Sequence, residues 1–136
     1  MASRSYRWIV PFGIPGAAVR IVDGHADDVL QASDVVMTAS GTATVQTALH
    51  DTPMVIVYRV TPLTYAIGRR LVGVSTFGMV NLIAGRRVVP ELIQHDFTPQ
   101  AVAAEAVALL TDPARAARMR TGSREGSLAV RSPVGP

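Results

Sequence analysis

The segment Thr38-Ala39-Ser40-Gly41-Thr42-Ala43-Thr44 is the part of the chain best suited to hold a phosphate. Small residues let a backbone approach a ligand closely, and the free amides and positive dipole end of a following helix favour an anion. Ser40, Thr42 and Thr44 add hydroxyl donors. The same residue types also make an ordinary helix cap. A second set, Asn81, Glu91 and Gln94, is polar among apolar neighbours and is able to bond sugar hydroxyls or an amide-like base edge. The plainer reading has Asn81 capping a short helix and Glu91 neutralising a helix N-terminus. Third come Arg69, Arg70 and Arg86, whose guanidinium forks suit a pyrophosphate or anionic lipid, although most such arginines form a solvated face. His25, His50 and His95 lie far apart without ligand spacing, so no metal site is expected.

Composition removes several chemistries. The chain has no cysteine, which excludes a disulfide framework, a thiolate metal site and a cysteine nucleophile. All 13 basic residues are arginine, so there is no Schiff-base lysine, lysine general base or P-loop lysine. The net charge of +3 is unevenly spread. Residues 1–51 carry −2, 52–90 carry +5 without a single acid, 91–111 carry −3 and 112–136 carry +3. That pattern fits a neutral domain with one anion-attracting stretch and a basic tail better than a nucleic-acid binder. The seven aromatic residues also argue against single-strand stacking.

These groups need elements to position them. At 136 residues the chain suffices for about one domain. No apolar run approaches the roughly 20 residues of a bilayer span, and Met-Ala-Ser-Arg-Ser lacks the apolar core of a signal peptide. A cytoplasmic location is the expectation. Short strands are predicted at 7–10 and 19–22, and a helix over Ala26–Ala32 with Val29 and Leu30 inward. An apolar strand, Val35-Val36-Met37, leads through the small-residue loop into a helix over Ala43–His50. Met54-Val55-Ile56-Val57-Tyr58 is a continuous apolar run, as in a strand buried on both faces of a parallel sheet. Pro62 opens a helix to about Val72, and Thr98-Pro99 caps one running to Leu110. Strands alternating with helices predict an α/β fold, a parallel sheet covered by helices. Gly-X-Gly-X-X-Gly is absent, which argues against an ordinary dinucleotide site. Residues 113–136, rich in glycine, serine, proline and arginine, read as a helical turn or two and then a disordered basic tail, unable to complete a core.

Five fragments now matter together: Ala39-Ser40-Gly41-Thr42-Ala43-Thr44; Pro53-Met54-Val55 with Tyr58-Arg59; Pro62-Leu63-Thr64-Tyr65 with Arg70-Leu71-Val72; Asn81-Leu82-Ile83-Ala84-Gly85-Arg86; and Pro90-Glu91-Leu92-Ile93-Gln94. In this order they closely resemble the C-terminal half of lipid-A-disaccharide synthases. The resemblance implies a GT-B glycosyltransferase of two Rossmann-like domains, in which residues 25–112 form the nucleotide-sugar-binding one. Residues 1–24 match its start only loosely. The donor implied is UDP-2,3-diacylglucosamine, transferred with inversion onto 2,3-diacylglucosamine 1-phosphate, and no cofactor is implied. Ser40, Gly41 and Thr42 would meet the diphosphate and Asn81 would stand near the reacting sugar, while Glu91 and Gln94 support the wall. Gln46 replaces a usual glutamate, and Val80 a usual proline before the asparagine. The lipid acceptor site and the catalytic base are expected in an N-terminal domain that this chain lacks, making it a truncated member. A homodimer and a peripheral membrane contact are further expectations. The competing reading is a basic anion-binding module without catalytic activity, touching phospholipid or nucleic acid through Arg69, Arg70, Arg86, Arg87 and the tail; a degraded frame without function is a third.

Overall fold

A computed structural model of the chain describes residues 16, 20, 22–39, 41–72 and 78–131, without side chains for 68–72 and 127–131. The strand expected at 7–10, and part of that at 19–22, lie outside these residues, as does Ser40. Among the described residues the chain builds a three-stranded, all-parallel sheet flanked by helices, an α/β fold consistent with a GT-B glycosyltransferase domain.

The sheet is β1 (Val36–Thr38), β2 (Met54–Tyr58) and β3 (Glu91–Ile93), in the order β1-β2-β3. Val36 pairs with Met54 and Ile56 with Glu91. The continuous apolar run of β2 has the cause anticipated for it. Met54, Val55 and Ile56 are fully buried at the centre of the sheet, covered from both faces. The first strand lies one residue later than the sequence suggested, since Thr38 still pairs with Ile56.

Each crossover is helical. β1 is joined to β2 by α2 (Thr42–Leu49), and β2 to β3 by α3 (Pro62–Val72) and α4 (Met79–Ala84). α2 packs on β1, β2 and α4. α5 (Pro99–Thr111) packs on β2, and starts where Thr98 accepts a hydrogen bond from the Ala101 amide. α1 (Ala26–Ala32) has the expected bounds and Leu30 is half-buried, but Val29, also expected inward, is 42% exposed, and α1 buries no residue fully. Polar links tie it down instead, including a 2.8 Å bond from the Thr52 hydroxyl to the Leu30 carbonyl.

The largest correction concerns the C-terminal segment. Residues Pro113–Arg131 form a 19-residue helix, α6, where a short turn and a disordered tail were expected. It packs on α4, α2 and α5 and closes the amino ends of the strands. Ala116 and Met119 join the core, and the Met54 amide lies 3.3 Å from the Met119 sulfur. Glycine and serine, read as signs of disorder, act here as contact surface. A Cβ on Gly122 would stand 2.9 Å from Val88 Cγ1, and one on Gly126 would stand 3.2 Å from the Val80 carbonyl. Spaced four apart, the two glycines lie on one side of the helix and let it approach α4 closely.

Candidate functional site

Parallel strands put all their carboxyl ends on one side. The loops that follow Thr38, Tyr58 and Ile93 therefore share one rim, the position at which open α/β sheets bind ligands.

On the β1 side of this rim, Gly41 precedes α2 with φ 128° and ψ −157°, a conformation open essentially to glycine alone. Among the described residues no side chain caps α2, since its N-cap is Gly41. The first amides of a helix have no intrahelical acceptor, so those of Thr42 and Ala43 are available to an anion. The Thr42 side chain is exposed at this point. Thr44 differs from the hydroxyl donor expected of it. Fully buried, it donates its proton to the Gly41 carbonyl at 2.7 Å, beside a 3.1 Å bond from its own amide to the same oxygen. Thr44 thus fixes the loop and has no proton to offer a ligand. Gln46, one turn further on, donates from Nε2 to Asp27 Oδ1 at 2.8 Å, and His50 Nε2 lies 2.8 Å from the same oxygen. These two neighbours, the Gln46 amide foremost, hold the Asp27 carboxyl below its ordinary pKa.

The loop that enters β3 is built around Asn81, which is completely buried in α4. Its Oδ1 accepts from the amides of Val88 and Val89 at 2.8 and 2.9 Å. Its Nδ2 donates to the Val89 carbonyl at 2.9 Å and to Glu91 Oε1 at 2.6 Å. An amide side chain offers two donor hydrogens and two lone pairs, and all four are used. Asn81 therefore braces the loop from α4 to β3 and has no valence left for a sugar. Glu91 is 5% exposed, and its Oε1 also accepts from the Gly78 amide at 2.8 Å, the residue before α4. A carboxylate at a helix N-terminus is the plainer role the sequence allowed, reached across space from the next strand.

Gln94 joins two loops of the rim. It accepts from the Val60 amide at 2.8 Å and donates to the Val60 carbonyl at 3.0 Å, from a backbone at φ 55° that is uncommon outside glycine. Close by, Arg59 donates to the Phe97 carbonyl at 3.0 Å with its guanidinium 5.4 Å from the Phe97 ring centre. The same rim carries an apolar cleft of about 500 Å³ bounded by Met37, Arg59, Phe97 and the Val102 side of α5.

Of the residues named from sequence, Gly41, Thr42 and Gln94 lie in the loops of the rim, while Asn81 and Glu91 bond each other at the start of β3 and brace the loop that enters it. Arg86 lies elsewhere. It pairs with Glu125 of α6 at 2.7 Å, at the amino ends of the strands. Arg69 and Arg70 lie on α3, their side chains outside the described set. Sequence reasoning missed Gly78, where a Cβ would stand 2.3 Å from Ile56 Cδ1, because a lone glycine in a loop carries no signal of a close approach. It also missed Arg59, whose partner is 38 residues away.

A profile of the family described as Lipid-A-disaccharide synthetase matches residues 16–131. Among individual proteins, the chain is similar to the lipid-A-disaccharide synthase of Geobacter sulfurreducens, at 47% identity over 79% of this chain and 28% of the relative. That of Syntrophotalea carbinolica is 48% identical over 76% of this chain and 26% of the relative. That of Anaeromyxobacter dehalogenans is 41% identical over 87% and 31%. The chain thus spans between a quarter and a third of the length of these curated relatives. With the family profile covering most of its residues, on an α/β fold of the matching kind, the chain belongs to the lipid-A-disaccharide synthase family of glycosyltransferases.

Proposed function

We propose that this chain supplies the UDP-sugar donor site of a lipid-A-disaccharide synthase. The reaction would move 2,3-diacylglucosamine from UDP to the 6-hydroxyl of 2,3-diacylglucosamine 1-phosphate. The acceptor oxygen forms the new bond to the anomeric carbon, the bond from that carbon to the diphosphate breaks with inversion, and UDP departs. Such a step needs a base for the acceptor proton and donors for the charge gathering on the diphosphate. The second requirement is the one assigned to this chain. Ser40, Gly41 and Thr42 would receive the diphosphate at the start of α2, and Gln46 the ribose side. The acceptor and the base are assigned to the rest of the full-length enzyme, whose peripheral membrane contact and dimerisation belong to the same proposal.

The observation that carries this reading is the backbone of Gly41. Its φ of 128° turns the chain off β1 into a helix whose first residues, Thr42 and Ala43, are exposed. Gln94 enters it as a positioning residue that ties the loops after β2 and β3, while Asn81 and Glu91 hold α4 against the start of β3. Their buried bonds favour this over direct contact with the sugar.

Titrating UDP into the whole chain tests it by calorimetry. Saturable binding, weakened about tenfold in Thr42→Ala, is expected, since one bond to a charged group is worth roughly 1.5–3 kcal/mol. Absence of heat at millimolar UDP, from a folded chain, removes the donor-site reading.

A further inference from the structure

At the amino ends of the strands, opposite the rim, lies an open cleft of about 610 Å³ between the 86–90 loop and α6. It is lined by four arginines, Arg86, Arg87, Arg115 and Arg118, with Glu105 as its one acid. Its floor is apolar, formed by Val88, Val89, Pro90 and Met119. Nothing in the donor reading uses these residues.

The charges are unbalanced. Arg115 pairs with Glu105 and Arg86 with Glu125, which together answer two of the four cations. Arg87 gives one donor to the Glu91 carbonyl, a neutral partner. Arg118 is exposed and has no hydrogen bond or ion pair among the described residues. Each guanidinium carries five N–H donors, so even the paired ones retain unused hydrogens. Arg115 and Arg118 stand three apart on α6, on the same side of the helix, with Arg86 and Arg87 on the facing loop. Two uncompensated charges of fixed protonation around one concavity concentrate anions there.

We propose that this cleft is a second anion site, one that takes a phosphate ester. Guanidinium forks match phosphate oxygens in two-pronged fashion, with geometry as well as charge favouring them. The volume is several times that of a phosphate and within the range of small-molecule clefts. The apolar floor gives the organic part of the ester a surface to rest on. The phosphate could be that of a soluble metabolite or of a lipid headgroup, and the chemistry recognised is the same for both.

The test uses the whole chain. Inorganic phosphate and a small phosphate monoester, glycerol 3-phosphate, are titrated by NMR while backbone amides are followed. In parallel, co-sedimentation is measured with phosphatidylcholine vesicles with and without phosphatidic acid. Shifts confined to 86–90 and 115–119, saturating with the soluble ligands, support the site with a soluble source. Sedimentation only with phosphatidic acid supports it with a lipid source. In either case Arg118→Glu must weaken binding about tenfold or more, while Arg118→Lys retains part of it and UDP binding is untouched. Binding that survives Arg118→Glu, or no response to any of the probes by a folded chain, overturns the proposal.

Discussion

Asn81 illustrates how a polar residue among apolar neighbours can serve a site without touching a ligand. Replacing it with alanine strands two amides and a carbonyl of the 88–89 loop and removes a partner of the buried Glu91 carboxylate. Buried groups left without partners cost about 1–3 kcal/mol each, partly relieved by entering water. Asn81→Ala should therefore lower unfolding stability by about 3 kcal/mol in denaturant titrations. Asn81→Asp should fare no better, because a second carboxylate would face Glu91. Gly41 supplies a separate test. A Cβ there meets no atom within 4 Å, so Gly41→Ala pays only for backbone strain, about 1–3 kcal/mol. The cost should fall on the start of α2, lowering UDP affinity along with stability. Asp51 is the residue where pH enters. Arg124 reaches both of its oxygens, at 2.5 and 2.6 Å, and this bonding holds its carboxyl below the usual range. A depressed folded pKa means that the stabilisation is complete above the unfolded value, about 3.9, and fades as pH falls through the folded one. Because the pair is well exposed, solvent screens it and its contribution is small. Asp51→Asn should be less stable than the parent at pH 7, and the gap should close below about pH 4 in melting experiments.

Elements repeat the lesson with glycine. Gly122 and Gly126 face Val88, Val80 and Ala84 at distances that leave no room for a side chain. Gly126→Val should destabilise the chain by about 1–3 kcal/mol through overpacking, although valine is the better helix former. A gain in stability would mean that α6 does not dock as described. The elements most legible in the sequence were those whose signals are local. β2 announced itself by five apolar residues in a row, α3 by Pro62, and α5 by Thr98 and Pro99. The turn from β1 into α2 was legible as well, since small residues mark it and Gly41 supplies its positive φ. What remained hidden was non-local. α6 carries glycine, serine and threonine among its alanines and arginines, and the place of its glycines is explained only by contacts with α4 and Val88, some forty residues distant. Asn81 and Glu91 were visible as polar residues, but their mutual bond arises only when α4 lies against β3. The inward orientation expected of Val29 failed, and α1 is tied down through Asp27, Leu30 and Thr52 by polar bonds.

The whole chain divides its chemistry between the two ends of one parallel sheet. At the carboxyl ends are Gly41, exposed Thr42 and Gln94; at the amino ends, Asn81 braces the loop that enters β3 and α6 brings arginines of the basic C-terminal segment against Arg86 and Arg87. The charge of +3 thus has a place in the fold, since arginines read as a loose tail help to line a cleft. No described helix is long and apolar enough to cross a membrane. Family membership rests on the matched residues, and the donor role rests on the rim. The most direct measurement of that role is a backbone-amide NMR titration of the chain with UDP. The account predicts saturable shifts centred on Gly41, Thr42 and Ala43, with smaller ones at Val60 and Gln94 and none at Arg118. A spectrum of a folded chain that stays unchanged at millimolar UDP, or shifts only around Arg118, would contradict it.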